Sequence, residues 1–398
     1  MTFLDDVTVL DLTQVVAGSF ASMTLADLGA DVLKVERPGT GDIGRSNPPF
    51  VDGQSSYFAS VNRNKRSIAV DLSSAAGRDV ILDLGREADV LLENHPPGRL
   101  EGFGLGYDDL QSVNDEIIYC SITGFGQAGP YADIPALDMV AQAVSGHMSL
   151  TGPPDGPPFR AGLPIGDLTG ASYAVQSILA ALYRRESTGT GDYIDISMTD
   201  ALISWLTVRA GYTFATGEAY PRTGNELREF VPYNVYETAD GYLAVIVATD
   251  RHWRRLCAGI DHPELADDDR FATVDARRDN RDEINELLEK MFSADTAETW
   301  FDRLAEQGVP VAPIRDTQSV WTDEHVQARE LRRPMPIGDS EFWAINYPAK
   351  FREAEPEDEP YAVPDVGEDT LEVLRTVGYD DDRLIRLREA GVIDAPES

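Results

Sequence analysis

The stretch GLPIGDLTGASYAVQSILAAL, residues 162–182, carries a single charge, the carboxylate of Asp167. Two chemistries fit an aspartate at the entry to an apolar helical run. It can cap the helix by accepting backbone N–H bonds, a contribution of about 1 kcal/mol. It can also be a reactive carboxylate, because an apolar setting shifts its proton affinity. The surrounding Gly162, Gly166, Gly170, Ala171 and Ser172 form a small-residue collar that leaves space for a ligand beside the carboxylate.

Other site signatures are missing. The chain has no phosphate-binding G-x-x-x-x-G-K-[ST], and TQVVAGSF after the first strand pattern is not a G-x-G-x-x-G dinucleotide fingerprint. Neither H-E-x-x-H nor G-x-S-x-G occurs. The five histidines (His95, His147, His252, His262, His325) lack ligand spacing, so no metal is expected. Cys120 and Cys257 match no disulfide or metal framework.

The elements that must position Asp167 read as an alternating series. VTVLDLT (7–13) predicts a buried strand, GSFASMTLADLGA (18–30) a helix and DVLKVERP (31–38) a second strand. Strand, helix and strand follow at 66–72, 74–88 and 89–94, then a helix at 107–115 and a strand at 117–126. This predicts an α/β fold on a parallel sheet, whose ligands sit beyond the carboxyl ends of the strands. Those ends are Gln14–Gly18, Glu36–Pro38, Glu93–Gly98 and Gly124–Gly126. Residues 127–160 read as a Gly- and Pro-rich loop system, 168–185 as a long apolar helix, and 192–211 as a strand followed by a buried helix. A hairpin at 233–248, turning at Asp240-Gly241, and helices near 250–259, 279–292 and 295–306 predict a second domain. The expected division is a large domain over 1–200, a connection over 201–224, a smaller α+β domain over 225–320, and a C-terminal segment over 321–398 returning to the large domain.

Composition narrows the class. The 398 residues are 42% hydrophobic, which suits a folded protein of more than one domain. There are 69 acidic and 34 basic residues, a net charge of −35, and only four lysines: Lys34, Lys65, Lys290 and Lys350. No basic stripe offers itself to nucleic acid. An acid-rich, lysine-poor surface is the habit of proteins in high-salt cytoplasm, where a Debye length of about 3 Å at molar salt screens self-repulsion. The expected owner is therefore halophilic. The N-terminus lacks a signal-peptide pattern, and no apolar run reaches the roughly 18 residues of a membrane span. A cytoplasmic location is expected. Arg63, Lys65 and Arg66 in NRNKRS form the one basic cluster, read as local steering for an anionic ligand in preference to a solvated turn.

Several of these segments recur together in one family. VLDLTQVVAGSFASMTLADLGADVLKVERPGTGD, NRNKRSIAVDL, ADVLLENHPPG, YCSITGFGQAGPYA, GLPIGDLTG, STGTGDYIDISMTDAL and PYNVYETADGYLAVIV occur in this order. From residue 7 to about 330 the chain resembles the family III CoA-transferases, of the formyl-CoA and carnitine-CoA transferase type. The resemblance implies a Rossmann-like large domain, a smaller domain and an interlocked, ring-like homodimer. It implies acyl-CoA and free carboxylic acids as substrates, with no permanently bound cofactor. It assigns the catalytic nucleophile to Asp167, which would form an acyl anhydride and then an aspartyl-CoA thioester. Carried over by position, Val16, Ala17, Arg37, Val70, Leu72, Ser73, Asn94 and His95 become CoA contacts, and Asp138 an acidic neighbour of the reaction centre. Ser73 stands where some relatives have lysine, and Gly102 where some have a basic residue, with Arg99 nearby.

Other functions compete. Acyl-CoA racemases of the same family pair the aspartate with a histidine in Gly-His-Asp, but this chain has Ala136-Leu137-Asp138 there. A CoA-binding protein without catalysis would not need Asp167 in its collar, and a dinucleotide oxidoreductase would need the missing fingerprint. ATGEAYPRTGNE (215–226) has no Gly-rich loop of the formyl-CoA transferase kind, which disfavours formate and oxalate. Succinyl-CoA with a short dicarboxylate such as mesaconate is the expected pair.

Overall fold

A computed structural model describes residues 2–353 and 361–396. The chain forms two compact units, both discontinuous: 1–148, 160–216 and 327–398 in the larger, 149–159 and 217–326 in the smaller.

The larger unit is built on strands β1 (Thr8–Asp11), β2 (Asp31–Glu36), β3 (Arg66–Val70), β4 (Val90–Glu93), β5 (Ile118–Thr123) and β6 (Asp192–Ser197). Their spatial order is β3-β2-β1-β4-β5-β6, all parallel, and Ile393–Asp394 adds an antiparallel edge to β3. Parallel strands buried on both faces need apolar residues at consecutive positions. Val9 and Leu10 go to opposite cores, as do Leu92 and Leu91, and Ile118 and Tyr119. One core includes helix α1 (Ala17–Asp27) and the 24-residue helix Ile165–Thr188; the other includes the helices Ala75–Gly85 and Thr370–Thr376. Ser74 starts Ala75–Gly85 by accepting the Gly77 N–H, and left-handed Gly189 ends Ile165–Thr188.

The smaller unit holds a three-stranded antiparallel sheet, with Tyr233–Glu237 and Tyr242–Ile246 as a hairpin and Val311–Pro313 on the outer edge. Tyr236, Trp253, Phe271, Phe292 and Trp300 fill its core. The hairpin, its turn and the three helices after it lie close to their expected positions.

Three readings of the sequence change. The 127–160 segment contains helices Asp138–Val144 and His147–Leu150, and 149–159 belongs to the smaller unit. There Arg222 donates to the Pro153 carbonyl at 2.8 Å and also to that of Gly156. The expected connection over 201–224 is helical at Met198–Ser204 and Thr207–Thr216, within the larger unit. The NRNKRS cluster is neither a solvated turn nor a steering patch. Arg63 pairs with Asp27, Lys65 with Asp11 at 2.9 Å, and Arg66 with Asp31, Asp369 and Glu372. Arg63 and Lys65 are buried. A sequence displays their charge but not the acids that other segments bring to meet it.

Lys65 also donates to the Ser19 carbonyl and to Asn62, so removing it leaves Asp11 short of a partner in a dry interior. Lys65→Met is expected to destabilise the fold by about 3–5 kcal/mol, read from chemical denaturation. A loss under about 1 kcal/mol would show that Asp11 is adequately held by its other neighbours.

Candidate active site

Neighbouring strands β1 and β4 send their chains to opposite faces of the sheet. After β1 the chain enters α1, in one core; after β4 it enters the short helix Arg99–Phe103, whose Leu100 lies in the other. A crevice must open where the two diverge, beyond the strand ends. Asn94 bridges it: its Oδ1 accepts the Gln14 N–H and its Nδ2 donates to the Gln14 carbonyl, both at 2.8 Å.

Asp167 lines a cavity of about 390 Å³ at this point, together with Val16, Ala17, Asn94, His95 and Asp138. A second cavity of about 240 Å³ is lined by Arg37, Val70, Leu72 and Ser73. Gln14, His95 and Arg99 line both. All ten residues singled out from the sequence therefore lie on two cavities with common walls, although they come from six separate stretches of chain.

Asp167 is not a helix cap. Pro164 holds the cap position of Ile165–Thr188, and Asp167 is the third helical residue. Its half-buried carboxylate accepts no hydrogen bond from the described residues. Burial, and then the nearby Asp138 carboxylate, push its pKa up to about 7. The helix N-terminus favours ionisation, but burial and the like charge outweigh it.

Asp138 opens its own helix without capping it. Its Oδ1 accepts the Gly166 N–H and its Oδ2 the Gln142 side-chain amide, each at 2.7 Å. It thus anchors the turn that carries Asp167. The collar also has a different reason from the expected one. A Cβ on Gly166 would lie 3.1 Å from Asp138 Oδ1, and one on Gly170 3.1 Å from Met198 Cγ. These glycines permit close helix packing; only Gly162 faces open space.

The remaining residues divide by chemistry. Arg37 and Arg99 are exposed and have no ion-pair partner among the described residues. Arg99 lies 5.9 Å from the Phe103 ring centre. The His95 ring is buried, and burial, then the Arg99 charge, bring its pKa down to about 4. It is a neutral imidazole at neutral pH, and Nε2 has no hydrogen-bond partner among the described residues. Ser73 donates to Asp71 at 2.6 Å. Val70 and Leu72 supply apolar wall. Ala136 and Leu137, at the place of the racemase Gly-His, line the Asp167 cavity. Sequence reading placed Gln14 at a ligand-binding strand end without naming it as a site residue, and missed Tyr57, Thr123 and Met198 as lining residues. Gln14 and Thr123 stand at strand ends, which was their available signal; Tyr57 and Met198 had none.

The model for CoA-transferase family III matches residues 4–370. The chain belongs to CoA-transferase family III. Succinyl-CoA:glutarate CoA-transferase of Homo sapiens is 38% identical, aligned over 99% of this chain and 91% of that protein. Succinyl-CoA:mesaconate CoA-transferase of Haloarcula marismortui is 40% identical, over 96% and 98%. The crystal structure of a CAIB/BAIF family protein from Brucella suis superposes with a TM-score of 0.87 at 35% identity, covering 94% of this chain and 99% of that one. This family III enzyme is a CoA-transferase on the α/β, largely parallel fold expected from its sequence. None of its described helices is long and apolar enough to cross a membrane.

Proposed function

We propose that this CoA-transferase moves CoA from succinyl-CoA to a short dicarboxylate such as mesaconate, through covalent intermediates on Asp167. The observation that carries the reading is a half-buried carboxylate that accepts no hydrogen bond from the described residues, in a cavity sharing walls with one flanked by two arginines that have no ion-pair partner among those residues. Relatives named for succinyl-CoA with glutarate and with mesaconate support the substrate class.

In this mechanism the Asp167 carboxylate attacks the thioester carbonyl, and the C–S bond breaks to leave an aspartyl anhydride and CoA thiolate. The thiolate attacks the Asp167 carbonyl, forming an aspartyl-CoA thioester and releasing the donor acid. The acceptor carboxylate attacks that thioester, and the returning thiolate forms the new acyl-CoA and frees Asp167. Each tetrahedral intermediate needs donors for its oxyanion. Helix α1 starts without a side-chain cap and its first residues line the cavity, so the N–H groups of Val16 and Ala17 suit that role. Arg37 and Arg99 hold CoA phosphates, with Val70, Leu72 and Ser73 around the adenine and Asn94 and His95 along the pantetheine. Water must be excluded, since the anhydride hydrolyses.

The reading includes an interlocked homodimer in the cytoplasm of a halophile. Leu137, Val208 and Phe214 of the larger unit are 79%, 73% and 86% exposed, surface that a partner subunit would cover. Cys120 and Cys257 are buried free thiols, compatible with a reducing compartment.

A panel of acyl-CoA donors and free acids in molar KCl tests the substrate assignment, with borohydride or hydroxylamine trapping and mass spectrometry testing the intermediate. Transfer from succinyl-CoA and modification at Asp167 are expected. No transfer to any dicarboxylate would overturn the substrate, and an unmodified Asp167 the mechanism. The rate also carries a pH signature. Only ionised Asp167 attacks, and its pKa is raised to about 7. Accordingly kcat/KM is expected to fall about tenfold per unit as pH drops below 7. A profile flat down to pH 5 contradicts this.

A further inference from the structure

Val15 adopts φ +65°, in the left-handed region, on the wall of the Asp167 cavity. A β-branched residue there is a genuine outlier, because the left-handed region brings Cβ too close to the following carbonyl oxygen. Such a conformation persists only where its surroundings over-determine it.

The restraints come from buried charge. Lys34, on β2 beside β1, donates from Nζ to the Thr13 carbonyl at 3.0 Å and pairs with Asp42 Oδ2 at 2.9 Å. Asp42 Oδ1 accepts the Gly44 N–H at 2.7 Å and the Val15 N–H at 3.4 Å. On the other side, Asp11 Oδ1 accepts the Thr13 N–H at 2.9 Å and its hydroxyl at 2.5 Å. The Lys34 side chain is fully buried and that of Asp42 is 1% exposed. Burial pushes the Lys34 ammonium down, but Asp11, Asp42 and Glu36 more than reverse this, so it stays charged.

Buried ion pairs are a poor route to stability, since apolar replacements often match them, but they can specify one arrangement. Lys34 is also one of only four lysines in an arginine-rich chain. A compact ammonium reaches the Thr13 carbonyl, Ser19 Oγ at 3.5 Å and Asp42 from one point; a planar guanidinium fork does not.

We propose that Lys34 is a positioning residue for the transfer reaction: with Asp42 it holds the Thr13–Val16 turn in the strained form that shapes the Asp167 cavity. This rests on the Asp167 cavity being the reaction centre. A displacement of about 1 Å at a reacting site can cost around 100-fold in rate.

A double-mutant cycle tests it. Lys34→Met is expected to lower kcat about 10–100-fold, with KM for succinyl-CoA changed much less, because the turn beyond Gln14 does not line the cavity of Arg37, Val70, Leu72 and Ser73, where the CoA phosphates and adenine are placed. Lys34→Arg should not restore kcat. Glycine takes positive φ freely, so in a Val15→Gly background the same Lys34→Met change should cost less than about threefold. Equal losses in both backgrounds, or a folded Lys34→Met enzyme with parental kcat, would overturn the proposal. Should Lys34→Met fail to fold, Asp42→Asn enters the same cycle; failure of both even in the Val15→Gly background would mean the pair serves the fold alone and also overturns it. Asp167→Asn is the control. If it retains activity, the reaction centre is misassigned; if it is inactive while the cycle is additive, only the positioning role fails.

Discussion

Asp167→Asn is expected to lose CoA-transfer activity by on the order of 10⁴-fold or more, while melting later than the parent protein at pH 8. Both effects come from one carboxylate. As the proposed nucleophile it has no substitute, because the neighbouring Asp138 is already bonded to the Gly166 N–H and the Gln142 amide. As a half-buried charge it costs stability. Its pKa is about 7 in the fold against an ordinary aspartate value of 3.8. Below about pH 4 it is protonated in both folded and unfolded states, and the fold carries no penalty. Between pH 4 and 7 the unfolded chain has released the proton and the native state retains it, so stability falls as pH rises. Above 7 the penalty is complete, a few kcal/mol at about 1.4 kcal/mol per pKa unit. Asparagine removes the charge, so the gain in Tm should be present at pH 8 and small at pH 4. Thermal melts at the two pH values and steady-state assays check both parts. A variant that keeps activity refutes the nucleophile, and a Tm gain equal at both pH values refutes the electrostatic account.

Removing Arg37 and Arg99 together is expected to raise KM for acyl-CoA about 100-fold and leave kcat within a few-fold. A hydrogen bond to a charged group contributes about 1.5–3 kcal/mol, and each tenfold in affinity is about 1.4 kcal/mol. Neither guanidinium has an acid partner among the described residues, so their loss strands no buried carboxylate and the fold should survive. The single variants should each show about a tenfold rise. The assays need one fixed salt concentration, since molar KCl screens exposed charges. Arg99→Ala should also let the His95 pKa rise, because the Arg99 charge helps hold it down. An unchanged KM in the double variant would remove these arginines from the CoA site.

Much of the larger unit was legible before folding. Buried parallel strands require consecutive apolar residues, and the helices between them require a different period, so the strand-helix alternation shows in the sequence. Once the alternation is known, the strand ends follow, and with them the loops that bear Gln14, Arg37, Asn94 and Thr123. Asp167 was conspicuous because one charge in an apolar stretch needs a reason. Its neighbours were harder to read. Gly166 and Gly170 looked like room for a ligand, and they are contact points against Asp138 and Met198.

The sequence by itself determined the class of fold and the family, and singled out Asp167 as the candidate for the chemistry, because periodicity and local motifs are properties of short stretches of chain. Tertiary structure decided everything that depends on residues distant along the chain. It set the sheet order that opens a crevice between β1 and β4. It turned the basic cluster at Lys65 into buried ion pairs, and it gave the Ser149–Phe159 segment to the smaller unit. It also held Val15 in a left-handed turn against Lys34 and Asp42. The physical reason is the same in each case: burial and charge pairing depend on which segments meet, and no local pattern records that.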